Sequence, residues 1–295
     1  MTSTYRTPEE RFEELPEFGY APRYREVGGL RLAHVETGEG APVVFLHGEP
    51  TWSFLWRKVI PPVRDAGFRC VAPDLVGFGR SDKPTDPRWY SYDRHTEGIA
   101  SLLEDLDLRD VTLVLHDWGG PIGLRVAVEH PDRVARMVAM DTGVFTGHQT
   151  MSEAWHRFAD FVARSDDLPI GFLVRRGCAR DPGDEVVAAY EAPFPEREAK
   201  AGAKVFPRLI PLTPDAPGAA AGGRTFAALV DDRRPVLLLW GQEDRALPLA
   251  AGEALAQALD WPAPRPIGNA GHYLQEDAGP EVGAIIARWL DEQRS

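Results

Sequence analysis

Several features that are common in proteins are scarce in this 295-residue chain. It has only two cysteines, Cys70 and Cys178, and they lack the CxxC spacing of a metal or redox site. The sequence therefore predicts neither a zinc site nor a disulfide framework, and it favours a reducing cytoplasm. No run of roughly eighteen apolar residues occurs, so we expect no membrane span. The N-terminus carries Glu9 and Glu10 where a signal peptide needs an apolar stretch.

Positive charge is also in short supply. The 33 Lys and Arg residues against 45 Asp and Glu residues give a net charge of −12. An acidic chain repels phosphate backbones and anionic lipids, which argues against nucleic-acid and membrane partners. Hydrophobic residues make up 43% and charged residues 26%, the balance of a soluble globular protein.

Short apolar runs rich in Val and Leu are abundant, and segments of helical periodicity separate them. Such runs are typical of parallel strands buried on both faces, and their alternation with helices predicts a mostly parallel, doubly wound α/β sheet. The predicted strands are Pro42–His47, Phe68–Ala72, Val111–His116, Val134–Met140 and Pro235–Trp240. The predicted helices are Tyr92–Leu108, Trp118–His130, Pro248–Leu259 and Pro280–Arg294, with one more between Pro50 and Gly67.

The alternation breaks after Met140. From about Gly143 to Arg224 the sequence has no strand-like run and many breaker residues. We predict a helical cap at residues 145–225, inserted into a core of residues 1–144 and 226–295, with Pro214–Gly223 as the linker back to the core. Such a cap would cover the carboxyl ends of the strands, where open α/β sheets bind their ligands.

Asp117 stands where a nucleophile elbow would place its reactive side chain. It follows the predicted strand Val111–His116, and Gly119 and Gly120 come next and would open a helix. The usual residue at an elbow is Ser, whereas a carboxylate is already ionised at pH 7 and needs no base to attack. Its attack on a saturated carbon gives an alkyl ester that water can hydrolyse. An Asp that only caps the helix is the structural alternative.

His272, in the loop before the final helix, is the candidate base that activates water against this ester. The chain order nucleophile, acid, His is that of α/β-hydrolases. The acid that orients His272 can be Asp244, after the strand at 235–240, or Asp141, after the strand at 134–140. Both can reach the same His in this fold; we favour Asp244 and keep Asp141 as the alternative.

Five segments of the chain resemble the haloalkane dehalogenases. They are HGEPTWSFLWR (47–57), APDLVGFGRSDKP (72–84), HDWGGPIGLR (116–125), YEAPFPE (190–196) and AGHYLQED (270–277). The resemblance spans nearly the whole chain and implies an α/β-hydrolase fold with a helical cap, no cofactor and no metal. It makes Asp117 the nucleophile and His272 the base. Glu49 in the HGxP turn resembles the branch whose acid follows the later strand, here Asp244, although the carboxylate of Asp141 departs from that pattern.

The resemblance also implies two halide-binding side chains. Trp118 directly follows the nucleophile, and Trp155 is the only tryptophan between residues 143 and 224. An indole N–H only donates, so it can stabilise charge on a departing halide. The alternative for Trp155 is packing, because Phe158 and Val162 share its helix face. The remaining six tryptophans are expected to pack: Trp52, Trp56, Trp89, Trp240, Trp261 and Trp289.

Two further expectations concern the surroundings of the reaction. The backbone N–H groups of Glu49 and Trp118 would form an oxyanion hole for ester hydrolysis, and the Glu49 side chain would help to place water. Apolar cap residues would line a dry substrate pocket; these are Phe145, Phe158, Phe161, Phe172 and Leu173.

The sequence thus predicts hydrolytic dehalogenation of haloalkanes to an alcohol and a halide. The expected partners are a small apolar halogenated substrate, water and the halide ion; the chain is expected to be a monomer, with a homodimer as the alternative. An epoxide hydrolase shares the Asp nucleophile but commonly needs two cap tyrosines, and only Tyr190 lies between residues 143 and 224. A non-catalytic ligand receptor on the same fold is the alternative from another class.

Overall fold

A computed structural model describes residues 3–294 of the chain. The strands are β1 (Thr4–Tyr5), β2 (Pro22–Val27), β3 (Leu30–Thr37), β4 (Pro42–Leu46), β5 (Arg69–Pro73), β6 (Lys83–Pro84), β7 (Val111–His116), β8 (Val134–Met140), β9 (Val236–Gly241) and β10 (Arg265–Ile267). The α-helices are α1 (Ile60–Asp65), α2 (Tyr92–Asp105), α3 (Gly119–Glu129), α4 (Glu153–Arg164), α5 (Ile170–Gly177), α6 (Asp184–Glu191), α7 (Ala201–Leu209), α8 (Ala219–Val230), α9 (Leu249–Leu259) and α10 (Leu274–Glu292). Short 3-10 helices lie at Glu9–Phe12, Ser53–Lys58, Pro87–Trp89 and Arg197–Lys200. No helix within these residues is long and apolar enough to cross a membrane.

Eight strands form the central sheet, in the order β10-β9-β8-β7-β4-β5-β3-β2. The six strands from β10 to β5 in this order pair in parallel, and β3 and β2 complete one edge as antiparallel strands. All five predicted strands lie in this sheet, and their ends differ from the prediction by about one residue at most, as expected for helix and strand boundaries. The mostly parallel, doubly wound sheet is confirmed.

Three strands of the sheet, β2, β3 and β10, are not among the strands predicted from the sequence. β2 and β3 are joined by Gly28 and Gly29, whose φ angles of +57° and +78° suit a two-residue hairpin turn. That Gly-Gly pair is a signal that could have identified the hairpin. β10 has only three residues, too few to show a period.

The final helix begins earlier than the predicted Pro280. α10 starts at Leu274 and is interrupted at Ala278, whose φ of −140° and ψ of 28° are not helical. Pro280 explains the interruption, because a proline ring clashes with the carbonyl four residues earlier and removes a backbone donor. A separate helical turn, residues 274–277, therefore follows directly after His272.

Between β8 and β9 the described chain forms five α-helices, α4 to α8, one short 3-10 helix and no strand. α8 packs against α3 and α9, so it covers the sheet as a crossover helix does. The predicted boundary at residue 225 falls inside α8, and residues 219–223 of the predicted linker are helical. We therefore propose that the cap ends at Gly218 and that α8 belongs to the core.

A buried ion pair within the core is linked to the cap by a tyrosine. The side chains of Arg57 and Glu276 are 0% and 1% exposed, and they form two parallel hydrogen bonds. Tyr190 of α6 donates a further hydrogen bond to Glu276, and Lys58 Nζ lies 3.1 Å from its Oε2. Bidentate geometry with additional donors satisfies charges that burial would otherwise penalise. The pair thus fixes α6 over the start of α10.

Candidate active site

Asp117 lies in the sharp turn between β7 and α3. Its φ of +47° is a left-handed conformation, which an elbow needs in order to project its side chain. A Cβ on Gly119 would lie 2.1 Å from the Leu46 carbonyl oxygen, and one on Gly120 would lie 1.8 Å from Thr142 Oγ1. Glycine at both positions therefore lets α3 start this close to β4 and β8. The turn leaves 21% of the Asp117 side chain exposed at the carboxyl edge of the sheet.

Two backbone N–H groups act on the Asp117 carboxylate. The Glu49 N–H donates to Oδ1 at 2.7 Å, and the Trp118 N–H lowers the pKa of the carboxyl. Gly48 makes the approach possible, because a Cβ there would lie 2.1 Å from Asp117 Oδ1. The structure thus brings Glu49 and Trp118 to the nucleophile in the arrangement expected of an oxyanion hole.

His272 connects Asp117 to a fully buried acid. Its Nδ1 lies 2.7 Å from Asp244 Oδ2, and its Nε2 lies 3.7 Å from Asp117 Oδ2. The other oxygen of Asp244 accepts the N–H groups of Ala246 and Leu247, at 2.7 and 3.0 Å. Since the acid is held by two backbone donors, its remaining oxygen is aimed at Nδ1, and Nε2 faces the nucleophile.

Opposite charges set the protonation of this cluster. Burial opposes the charged form of His272, but Asp244 and Asp117 raise its pKa well above the usual value. Burial likewise opposes ionisation of Asp117, yet the imidazole of His272 and the Trp118 N–H hold the pKa of this carboxyl below its usual range. The nucleophile is therefore ionised at neutral pH.

Asp141, the alternative acid, lies beside Asp244, which stands between it and the imidazole of His272. It is fully buried, accepts the Gly241 N–H at 3.0 Å and shares a side-chain hydrogen bond with Asp244. Burial and the charge of Asp244 raise the pKa of Asp141 well above its usual value, which favours the protonated form. Within residues 3–294, it is Asp244 that accepts the hydrogen bond from His272 Nδ1.

Two buried histidines hold the surrounding backbone, and the sequence analysis assigns neither a role. His47 Nδ1 bonds to the Gly48 carbonyl and its Nε2 accepts the Leu75 N–H, both at 2.9 Å. His116 Nε2 donates to the His272 carbonyl at 2.8 Å, and burial lowers the pKa of His116 to about 3, so it is neutral. The available signal is position, because each histidine ends a strand beside a reacting group.

The Glu49 side chain is buried beside the nucleophile. Its Oε1 has no hydrogen-bond partner among the described residues. Burial and the charge of Asp117 raise the pKa of Glu49 well above its usual value, which favours the protonated carboxyl, a form that can donate a hydrogen bond. The Tyr273 hydroxyl donates to the Glu49 carbonyl at 3.4 Å, which ties the Glu49 turn to the His272 loop.

Trp118 is buried in an aromatic wall at the carboxyl edge of the sheet. Its ring centroid lies 5.3 Å from that of Phe206, 5.8 Å from Phe145 and 6.4 Å from Tyr92. These contacts combine core and cap residues, so Trp118 faces the junction between them.

Trp155 lies in the first turn of α4 and is half-buried. Ser152 caps this helix and accepts the Trp155 backbone N–H at 3.1 Å, and the indole ring contacts that of His156. The ring contacts within residues 3–294 do not join Trp155 to Trp118. The six tryptophans expected to pack are buried or half-buried against the core.

Trp118 borders a small cavity between the sheet and the cap. Its volume of about 10 Å³ holds about one water, so a larger ligand enters only when side chains move. The cavity is lined by Tyr92, Trp118, Pro121, Phe145, Leu209, Pro211 and Gly218. Of the predicted pocket residues, Phe145 lines it. The prediction is wrong for Phe161 and Phe172, which are 40% and 51% exposed and contact each other on the cap surface.

The described residues contain no group of three or more His, Cys, Asp or Glu side chains that could hold a metal ion. The order Asp117, Asp244, His272 along a mostly parallel sheet is that of the α/β hydrolases. A model of the α/β hydrolase fold family matches residues 41–279.

Similar proteins identify the family within the α/β hydrolases. The chain is 42% identical to a haloalkane dehalogenase of Mycobacterium marinum, over 96% of this chain and 98% of that protein. Among solved structures, haloalkane dehalogenase DpaA from Paraglaciecola agarilytica NO2 matches with a TM-score of 0.90 and 37% identity, over 95% of this chain and 96% of that one. DbeA from Bradyrhizobium elkani matches with a TM-score of 0.80 and 29% identity, over 93% and 99%. The chain belongs to the haloalkane dehalogenase family, so the predicted fold and family are confirmed.

Proposed function

We propose that this protein hydrolyses haloalkanes to an alcohol and a halide ion through an alkyl ester on Asp117. The observation that carries the proposal is an ionised carboxylate at the elbow, whose Oδ1 accepts the Glu49 N–H at 2.7 Å and whose Oδ2 lies 3.7 Å from His272 Nε2. Such a carboxylate attacks a saturated carbon without a general base. The names of the relatives support the carbon–halide bond as the target.

In the first step, an Asp117 oxygen attacks the carbon that bears the halogen. A carbon–oxygen bond forms, the carbon–halogen bond breaks, and the halide leaves with the electron pair. Trp118 and Trp155 donate indole N–H hydrogen bonds to the departing ion. Because the net charge of −12 does not attract anions, neutral local donors are well suited to this work.

In the second step, His272 Nε2 takes a proton from water, and the resulting hydroxide attacks the carbonyl carbon of the Asp117 ester. Asp244 orients the imidazole and stabilises its protonated form. Alkylation removes the charge of Asp117, one of the two charges that raise the pKa of His272, and so favours the neutral imidazole that this step needs. The N–H groups of Glu49 and Trp118 stabilise the oxyanion, and the Glu49 side chain helps to place the water. When this tetrahedral intermediate collapses, the bond between the carbonyl carbon and the alkyl oxygen breaks. The alkyl oxygen takes the hydroxyl proton and leaves as the alcohol, and Asp117 is again a carboxylate.

An epoxide hydrolase would need a cap tyrosine that can protonate the epoxide oxygen. Tyr190, the single tyrosine between residues 143 and 224, is fully buried, and its hydroxyl donates to Glu276 in the ion pair with Arg57. That engagement argues against epoxide opening. A non-catalytic receptor would have no use for an ionised nucleophile with an aligned base and acid.

Bromide release tests the proposal. The protein is incubated with short bromoalkanes and, separately, with short epoxides, and bromide, alcohol and diol are measured beside an Asp117→Asn control. We expect bromide and alcohol in equal amounts and no diol above the control. If no bromide appears above the control, the proposal is wrong.

The halide-binding roles are tested by Trp118→Phe and Trp155→Phe. Each is expected to slow bromide formation by about 10²-fold, the usual cost of losing one donor to developing charge. Trp89→Phe is the matched control, because Trp89 is half-buried and packs on Tyr90 and His95 away from the elbow. A Trp155→Phe variant as fast as this control would leave Trp155 with a packing role.

We also propose that the chain is a monomer in the cytoplasm, with a homodimer as the alternative. Its two cysteines are free thiols, as a reducing compartment requires. Light scattering coupled to size exclusion measures the oligomeric state; a tetramer, as described for DpaA, would overturn the monomer.

A further inference from the structure

Asp277 is a half-buried carboxylate that the two-step reaction does not use directly. Its Oδ2 accepts the N–H groups of Gly271 at 2.9 Å and Ala179 at 2.8 Å, and its Oδ1 accepts the Arg180 N–H at 3.0 Å. Gly271 precedes His272, whereas Ala179 and Arg180 follow cap helix α5. A single side chain thus bridges the loop of the base and the cap.

The same two segments also meet through their backbones. The His272 N–H donates to the Gly177 carbonyl at 2.8 Å. A Cβ on Gly271 would lie 2.4 Å from that carbonyl oxygen, and a Cβ on Gly177 would lie 2.3 Å from Tyr273 Cε2. No side chain fits between the segments, so the position of the His272 loop depends on where the cap holds residues 177–180.

The His272 loop is bound on its other side to the loop of the acid. The Glu243 N–H donates to the Ala270 carbonyl at 2.8 Å, and a Cβ on Gly241 would lie 2.2 Å from the Gly271 carbonyl oxygen. His272 therefore lies between the acid loop and the cap segment. A shift of the cap segment would change the distances from the imidazole to both carboxylates.

We propose that Asp277 is a positioning residue that couples the cap to His272. By holding residues 177–180 against Gly271, it keeps the imidazole aligned between Asp244 and Asp117. This inference rests on the proposed function, and it predicts an effect on one step only. Bromide formation uses the Asp117 carboxylate without a base, whereas ester hydrolysis requires His272 in place.

Two substitutions of Asp277 test the coupling. Asp277→Asn keeps the shape of the side chain but turns an NH₂ group toward backbone donors, and Asp277→Ala removes all three hydrogen bonds. Glu281→Gln is the matched control, an exposed carboxylate four residues further along α10. The measurement is a single turnover of a bromoalkane by rapid quench, with bromide and alcohol followed separately.

We expect bromide formation in both variants to stay within about twofold of the wild type. Alcohol formation should slow by about tenfold, because displacing a catalytic group by about 1 Å can cost up to about 10²-fold. The alkyl ester should accumulate and add the mass of the alkyl group to the intact protein. Hydrogen exchange at the amides of Gly271, Ala179 and Arg180 should be faster in Asp277→Ala.

Several outcomes would overturn the proposal. One is alcohol formation in both variants equal to that of Glu281→Gln. Another is slowing of bromide and alcohol by the same factor, since a general loss of folded protein does the same. Unchanged exchange at the three amides would remove the bridge itself. Failure of the proposed function is distinct, because the wild type would then release no bromide.

Discussion

Replacement of Asp244 by Asn tests the acid assignment without disturbing the loop. The amide oxygen of Asn can keep the N–H bonds from Ala246 and Leu247, so its NH₂ group would face His272 Nδ1 in place of Oδ2. A donor opposite Nδ1 forces the imidazole proton onto Nε2. Nε2 is the nitrogen that must accept a proton from water, so the variant holds the wrong tautomer for ester hydrolysis.

The lost charge of Asp244 determines how much the rate of ester hydrolysis should fall. With about 4 Å between charge centres and an effective dielectric constant of about 20, a carboxylate–imidazolium pair is worth about 4 kcal/mol. At about 1.36 kcal/mol per tenfold in rate, ester hydrolysis should slow by about 10³-fold. Bromide formation at Asp117 needs no base, so it should fall by less than about tenfold.

Rapid mixing with a bromoalkane separates the two steps. Asp244→Asn should release about one bromide per active site and then stop, with the alkyl ester visible in the intact mass. Asp141→Asn is the matched control, because the raised pKa of Asp141 favours its protonated form, and an Asn can likewise donate to Asp244 and accept the Gly241 N–H. The assignment is refuted if Asp141→Asn stalls after a normal burst while Asp244→Asn turns over.

Three further predictions concern stability and the approach to the nucleophile. The pKa of His272 is raised in the folded protein, so its contribution to stability is complete below the unfolded pKa of about 6.5 and is lost as the pH rises toward the folded pKa. Between these two pKa values, the Tm of the wild type should therefore fall more steeply with pH than the Tm of His272→Gln. Parallel curves of Tm against pH would contradict this. Gly48→Ala places a Cβ 2.1 Å from Asp117 Oδ1 and should lower kcat by about 10²-fold, while Gly19→Ala, with open space around it, should match the wild type. Glu276→Leu leaves the buried Arg57 without its bidentate partner and should lower the free energy of unfolding, measured in urea, by about 3–5 kcal/mol. Adding Arg57→Met to the same chain should restore most of that free energy, because the unpaired buried charge is then removed. No recovery in the double variant would contradict this explanation.

Local patterns made part of the fold and site predictable. Strands β4, β7, β8 and β9 are mostly apolar because the sheet buries both faces, so composition marks them. The Asp117 elbow is equally local, a strand followed by Asp117, Trp118 and two glycines. The antiparallel strand β2, by contrast, is polar and partly exposed at the sheet edge, where composition is a weaker signal.

Local sequence patterns could not predict the contacts between segments that are far apart along the chain. The outward orientation of Phe161 and Phe172 follows from how α4 and α5 pack, because a helix period does not say which face meets the core. The three N–H groups on Asp277 come from the cap and the His272 loop, which are far apart along the chain.

The sequence by itself predicted the parallel sheet, the candidate nucleophile, the late histidine and the family, because each is written in contiguous residues. Only the tertiary structure decided which carboxylate faces the imidazole, that burial raises the pKa values of both Asp141 and Glu49, and how the cap is joined to His272. The physical reason is that these properties arise where segments meet: Glu49 and Asp117 are separated by 68 positions, and Asp244 and His272 by 28. Burial and charge at those meeting points, which no local pattern records, set the chemistry of the site.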